Sequence, residues 1–257
     1  MQFIDTHTHL YLPEFDSDRD EMISRALENG VSKLLMPNID IHSLDPMLSV
    51  SERYRETCYP MIGLHPTSVR KDYTAHLDEL IGTAKDHDFI AVGEIGIDKY
   101  WNTTYLDEQK DAFRRQIRFA ILSDLPVVIH SRESFPEVFS VLEEFRGEKL
   151  KGVFHAFSGT IEDAEKAVGM GFMLGIGGPL TFRNSSLVKT VIEAGITNIV
   201  LETDSPYLAP VPYRGKRNES SYIPIINKKL AEVLDMHEES TALITFENSC
   251  RLFNIVR

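Results

Sequence analysis

The chain has 257 residues, 42% hydrophobic and 26% charged, and its 27 basic and 39 acidic side chains give a net charge of −12. That size folds without disulfide or metal staples, and the composition excludes a disordered tail, a collagen and a coiled coil. The acidic balance excludes a protein that coats nucleic acid through bulk charge, though not an enzyme that grips a few phosphates locally.

Short apolar or β-branched runs occur at residues 3–6, 33–37, 59–63, 89–93, 126–129, 152–154, 172–176 and 198–201. Amphipathic stretches with helical spacing separate them at 18–29, 77–86, 107–122, 135–145, 162–170 and 187–194, and two more follow at 222–234 and 238–253. Gly30, Gly171 and Gly195 stand where a left-handed helix cap is expected. Apolar runs without alternation suit strands covered on both faces. Eight such units in about 250 residues predict one α/β domain over residues 1–257, a closed (β/α)8 TIM barrel. An open doubly wound sheet is the competitor, but the first run leads into Asp5-Thr6-His7-Thr8-His9 and not into a glycine-rich turn.

No apolar stretch approaches the ~20 residues that span a bilayer, and the opening residues lack the basic and apolar regions of a signal peptide. The cysteines, Cys58 and Cys250, lie far apart and read as reduced thiols. The expectation is a cytoplasmic protein with no membrane contact and no obligate protein partner; the oligomeric state is left open.

Of nine histidines, His7, His9, His65, His130 and His155 fall at the C-terminal end of a predicted strand. In a barrel those ends form the rim where active sites lie. Glu94 and Asp204 end predicted strands on the same rim. His7 and His9, two positions apart, share one face of an extended chain. Paired imidazoles there are poor packing residues but good metal ligands. His7, His9, His130, His155, Glu94 and Asp204 make six donors, more than one ion needs, and so invite two ions with a bridging carboxylate. Water near such ions loses a proton near neutral pH, and a neighbouring carboxylate takes it. His42, His76, His87 and His237 read as surface residues.

The segments DTHTHL (5–10), GLHP (63–66), GEIGID (93–98), IHSRE (129–133), HAFSG (155–159), ETDSPYLAP (202–210), RGKRNE (214–219) and NSCRLF (248–253) together resemble the TatD family of metal-dependent hydrolases. The resemblance spans nearly the whole chain. It implies an amidohydrolase-like barrel with two divalent ions (Zn2+, Mg2+ or Mn2+) and deoxyribonuclease activity. By motif, His7, His9, Glu94 and Asp204 would hold one ion, and Glu94, His130 and His155 the other. Glu94 would bridge, and Asp204 would orient or deprotonate the water. His65, Asp98 and Arg132 match positions in or just behind the pocket. Two positions depart from the family's usual residues: Ala156, where Cys is frequent, and Ser134, where Ala is common.

For the remaining residues two roles stand side by side. His65 either donates to a phosphate oxygen or supports the ligands. Arg132 either clamps a phosphate or pairs with Asp98 or Glu94. Asp98 suits a carboxylate that orients a ligand imidazole. Arg214, Lys216 and Arg217 either meet a DNA backbone or form a solvated loop. Tyr100, Trp101 and Tyr105 either stack on bases or pack over the barrel top. The expected reaction is phosphodiester hydrolysis with DNA as substrate, as an exonuclease on single-stranded or frayed ends, because a barrel mouth admits a strand end more easily than an intact duplex. A hydrolase of amides or esters, such as aminoacyl esters or lactones, is the alternative.

Overall fold

The structure is a computed structural model that describes residues 1–256. Among them, parallel strands β1 (Phe3–Asp5), β2 (Val31–Met36), β3 (Cys58–Pro60), β4 (Val92–Asp98), β5 (Val127–Arg132), β6 (Gly152–Phe154), β7 (Phe172–Ile176) and β8 (Ile199–Leu201) follow one another in chain order. β1 to β3 form one ladder and β4 to β8 the other. Two seams close them into a (β/α)8 barrel. At one, Gly93 N donates to Ile62 O at 2.9 Å and Ile62 bridges to Val92. At the other, Thr6 N donates to Leu201 O at 3.1 Å and Thr8 bridges to Ser205.

Helices α1 (Arg19–Glu28), α2 (Ile41–Arg53), α3 (Tyr73–Thr83), α4 (Leu106–Leu122), α5 (Phe135–Glu143), α6 (Ile161–Gly169), α7 (Leu187–Ala194) and α8 (Ile223–Leu234) follow the strands in turn, and α9 (Glu238–Phe253) ends the chain. On α4, Ala112, Phe113, Gln116, Ile117 and Ala120 recur at helical spacing and are buried against the sheet. α2 keeps helical apolar spacing at Ile41, Leu44, Met47 and Leu48, but Pro46 inside it reads as a helix breaker, so it is missing from the helices expected from sequence. Its start is nevertheless encoded: Asp40 and Ser43 form a reciprocal capping box.

The apolar core has two shells. The outer one lies between strands and helices. The inner one comprises Ile4, Leu35, Met61, Ala91, Val128, Val153 and Val200, packed with Cys250, Leu252 and Phe253 from α9 and its end. Val128 precedes His130 and Val153 precedes His155 on the same inward face. The plug therefore fills the barrel on the N-terminal side of the polar residues.

β4 begins later than the apolar run at 89–93 and ends at Asp98, so Glu94 lies inside the strand and not after it. The register explains this. Val92 pairs with Val127 and Ile95 with Ile129, three steps against two, which is a β-bulge. The extra residue turns Glu94 inward alongside Asp98. The bulge is held by Asn38 N donating to Gly93 O and Glu94 N donating to Asn38 O, both at 3.1 Å. Gly96, at φ +143°, keeps space for β5: a Cβ there would stand 2.0 Å from His130 O.

Candidate metal centre

Six side chains from β4, β5 and the segments after β1, β6 and β8 meet at the barrel mouth, and His65 joins them. The regular part of β1 stops at Asp5, and the Thr8–Ser205 bridge carries the following segment on. His7 Nε2 and His9 Nε2 come to 3.2 Å of each other there. The Glu94 carboxylate, 2% exposed, is the centre of the group. Its Oε2 faces His7 Nε2 at 3.2 Å and His9 Nε2 at 3.6 Å. Its Oε1 faces His130 Nδ1 and His155 Nε2, each at 2.7 Å, and His65 Nε2 at 3.1 Å. Asp204 Oδ1 lies 3.8 Å from His7 Nε2 and 3.7 Å from His9 Nε2. The two oxygens of Glu94 thus look into two donor groups, and three sets (His7, His155 and Asp204; His7, His9 and Glu94; His65, Glu94 and His130) have geometry suited to an ion.

Neighbouring groups aim the rings. Tyr11 Oη donates to Pro37 O at 2.6 Å, so it accepts from His9 Nδ1–H at 3.0 Å. That leaves a lone pair on His9 Nε2, toward Glu94. Asp98 Oδ2 accepts from His130 Nε2–H at 2.9 Å, which turns His130 Nδ1 to the cluster. His65 is arranged differently. Its Nδ1 accepts from Thr67 N at 3.1 Å, so the neutral ring carries its proton on Nε2, aimed at Glu94 and His130. The His65 residue lies in the loop beyond β3, where it caps a 3-10 turn at Pro66–Ser68.

Burial holds His7 well below and His9 down to about 4, so both rings are neutral donors. Burial would raise Glu94, but the imidazoles of His155, His65 and His7 outweigh it and keep the carboxylate ionised. Asp204 is pushed up to about 7, first by burial, against the pull of His155 and with Glu94 raising it further.

Three supporting residues had no assigned role in the sequence reading. Tyr11 is one. Asp5, buried, accepts from Thr203 N at 2.9 Å and Thr203 Oγ1 at 2.6 Å, and so ties β1 to the turn that presents Asp204. Glu202 is 1% exposed; its Oε1 accepts from Ala156 N at 2.5 Å and lies 3.8 Å from His155 Nδ1. Burial raises Glu202 to about 8. Ala156 and Asp204 both take left-handed backbone, φ 41° and 56°, the kind of strain that concentrates at functional sites. The Asp5 motif and the Glu202-Thr203-Asp204 run were visible in the sequence; the partners that give Asp5 and Glu202 a purpose were not.

Arg132 pairs with neither Asp98 nor Glu94. Its guanidinium lies over the Tyr100 ring at 3.7 Å and near Trp101 at 5.5 Å. Arg217 is not free for a DNA backbone: it donates to Asp18 at 2.6 and 2.7 Å and lies over Phe15. Arg214 remains exposed, over Phe182 at 4.5 Å. Tyr100 and Trp101 are exposed, while Tyr105 is partly buried. His42 and His237 are exposed, and His76 and His87 are partly buried. Cys58 and Cys250 are buried, and neither forms a disulfide among the described residues. Among the described residues no helix is long and apolar enough to cross a membrane.

A parallel barrel with a buried histidine–carboxylate cluster at its C-terminal mouth defines the class of metal-dependent barrel hydrolases. The profile of the TatD-related DNase family matches residues 4–254, and the chain belongs to that family. It is 36% identical over 255 residues to the metal-dependent hydrolase YabD of Bacillus subtilis, covering 98% of both chains. It is 32% identical over 252 residues to the 3'-5' ssDNA/RNA exonuclease TatD of Cronobacter sakazakii, covering 93% of both. The crystal structure of the TatD homologue YjjV from Escherichia coli superposes with a TM-score of 0.92 at 28% identity, over 99% of this chain and 98% of that one. The protein is a metal-dependent hydrolase.

Proposed function

We propose that this hydrolase cleaves phosphodiester bonds at the free ends of single-stranded or frayed DNA, using two divalent ions. The observation that carries the reading is the division of Glu94, one oxygen toward His7 and His9, the other toward His130 and His155. The family description and the exonuclease relative supply the substrate class.

The donors suit such ions. His7 and His9 are buried, neutral and closely apposed, and His9 has its lone pair fixed by Tyr11. His7, His9, Glu94 and Asp204 would hold one ion, and Glu94, His130 and His155 the other. Imidazoles suit Zn2+, while carboxylates and phosphoryl chemistry suit Mg2+ or Mn2+. Once bound, the ions supply Lewis acidity toward the phosphoryl oxygens and lower the pKa of water near them.

The chain's own groups do the rest. Asp204 is 14% exposed at the mouth, and its carboxylate accepts the attacking water's proton. His65 directs its Nε2–H into the cluster, placed to donate to a non-bridging phosphate oxygen. Arg132, with no carboxylate partner among the described residues, offers a free guanidinium fork to the phosphate. Asp98 keeps His130 turned inward.

The test uses end-labelled single strands, covalently closed circles, and small ester, amide and lactone substrates with Mg2+, Mn2+ or Zn2+ after chelation. The expected result is stepwise release of nucleotides from linear strands, its loss in chelator, intact circles, and a kcat fall of roughly 10²–10⁴ in Asp204→Asn. Hydrolysis of the esters with untouched oligonucleotides would overturn the nuclease reading.

A further inference from the structure

Beside the metal cluster the structure has a second feature that the chemistry above leaves unused. A cleft of about 500 Å³ opens between Pro66, Thr67, Arg70, Trp101, Asn102 and Tyr105, with Asp98 and Gln109 also in its lining. Its volume falls within the range of roughly 300–1,000 Å³ typical of small-ligand sites. Trp101 is 67% exposed and Tyr100 51%, two large rings left in solvent at the mouth of an acidic protein's active site. They meet edge to face, centroids 5.1 Å apart.

The rings are presented, not merely exposed. Tyr100 N and Trp101 N both donate to Asp98 Oδ1 at 2.9 Å. The other oxygen of the same carboxylate accepts from His130 Nε2 at 2.9 Å. One side chain therefore fixes both an imidazole of the cluster and the turn that carries the aromatic pair. Whatever fills the cleft lies one short linkage from the reacting centre.

The flanking charges say what that occupant is. Arg132, outside the lining itself, lies over Tyr100 at 3.7 Å and 5.5 Å from the Trp101 ring. Arg70 lines the cleft itself, 5.9 Å from the Tyr105 ring, tethered through Nη1 to Thr67 O and Val69 O at 2.7 and 2.8 Å. In a chain of net charge −12, one arginine in the lining of an aromatic-walled cleft and a second against the ring of Trp101, which also lines it, fit a planar group attached to phosphates. We propose that this cleft holds the nucleobase of the terminal nucleotide of a single strand, with Trp101 as its stacking surface. The proposal rests on the nuclease reading and extends it to the form of the substrate. Stacking discriminates little between bases, because each has a π-face, so the cleft selects an unpaired end and not a sequence. A paired base cannot enter without leaving its partner.

Trp101 is the single tryptophan of the chain, so indole fluorescence reports on this cleft alone. The metal-loaded protein is titrated with a short phosphorothioate strand that resists hydrolysis, and with the same strand made abasic at the terminal nucleotide. Saturable quenching is expected with the first, and a midpoint at least tenfold higher with the second. With cleavable strands, Trp101→Ala is expected to raise KM by roughly five- to a hundredfold, with kcat held within about threefold. Trp101→Phe restores most of the affinity, and an abasic-ended strand has the same KM for all three proteins. An unchanged KM in Trp101→Ala, or equal quenching by the abasic strand, would overturn the base site. Quenching as described, without cleavage of any strand, would support the base site and remove the nuclease reading.

Discussion

Tyr11 stands 3.0 Å from His9, its hydroxyl between His9 Nδ1 and the carbonyl of Pro37. Because the hydroxyl has one proton and spends it on Pro37, it acts on His9 as an acceptor. That fixes which nitrogen of His9 is bare. Tyr11→Phe keeps the ring and removes the acceptor. Metal affinity is expected to fall roughly 10- to 100-fold, the usual effect of losing such a partner, and the metal-free protein to melt a few degrees lower, because the buried Pro37 carbonyl and His9 N–H lose their partner. Competition with a chromogenic chelator measures the affinity directly. An affinity within threefold of wild type would show that the Tyr11 hydroxyl does not set the His9 tautomer.

The convergence of His7, His9, Glu94, His130, His155 and Asp204 was legible because barrel topology maps sequence order onto position around a rim. The helix at Ile41–Arg53 was not, although Asp40 and Ser43 spell its start and Leu44, Met47 and Leu48 keep helical spacing, because Pro46 inside it reads as a helix breaker. The extent of β4 was misplaced because a bulge is a property of two strands in register, and one strand's sequence does not display it. Charge fails for the same reason. Arg217 looks free beside Arg214 and Lys216, yet its partner Asp18 is 199 positions away. Glu202 has its reasons in Ala156 and His155, both on another strand's loop.

Gly96 is where β4 and β5 approach too closely for any side chain. A Cβ there would meet His130 O at 2.0 Å, and φ of +143° is a conformation that L residues rarely adopt. Gly96→Ala is expected to cost at least about 2 kcal/mol, as backbone strain and overpacking combine. Urea denaturation gives the stability. Because the displaced backbone carries His130, metal affinity should fall with it, and a variant that binds metal like wild type would show that β5 accommodates the methyl group.

Gly175 tests a softer wall. A Cβ on β7 would stand 2.2 Å from Glu202 Oε2 and 3.1 Å from His155 Cα. Gly175→Ala must push the buried carboxylate aside, and overpacking of this kind costs about 1–3 kcal/mol. Glu202→Ala in the same background removes the colliding carboxylate. The double variant is expected to recover stability relative to Gly175→Ala while remaining impaired in hydrolysis, since Ala156 N then loses its acceptor. Strict additivity of the two stability changes would sever the proposed contact.

Asp18 predicts how the protein meets acid. Hydrogen bonds from Arg217, reinforced by Arg25, hold its carboxyl down at about 2, below its ordinary value of 3.8. A depressed carboxylate stabilises the fold fully above its unfolded pKa, and the contribution disappears as pH falls toward the folded one. The window here runs from about pH 4 to pH 2. Asp18 is 29% exposed, so the network contributes on the order of 1 kcal/mol. That is roughly 2–4 °C in melting temperature for a protein of this size. Asp18→Asn should therefore melt a few degrees below wild type with a constant gap from pH 7 to pH 5, and the gap should narrow as the pH is lowered below 4. A gap that stays constant down to pH 3 would mean that the carboxylate's charge contributes nothing. The charged contact holding the turn before α8 would then be that of Arg25 with Glu219, 2.7 Å apart, beside the hydrogen bonds of Asn218 to Thr203 O and Tyr207 O.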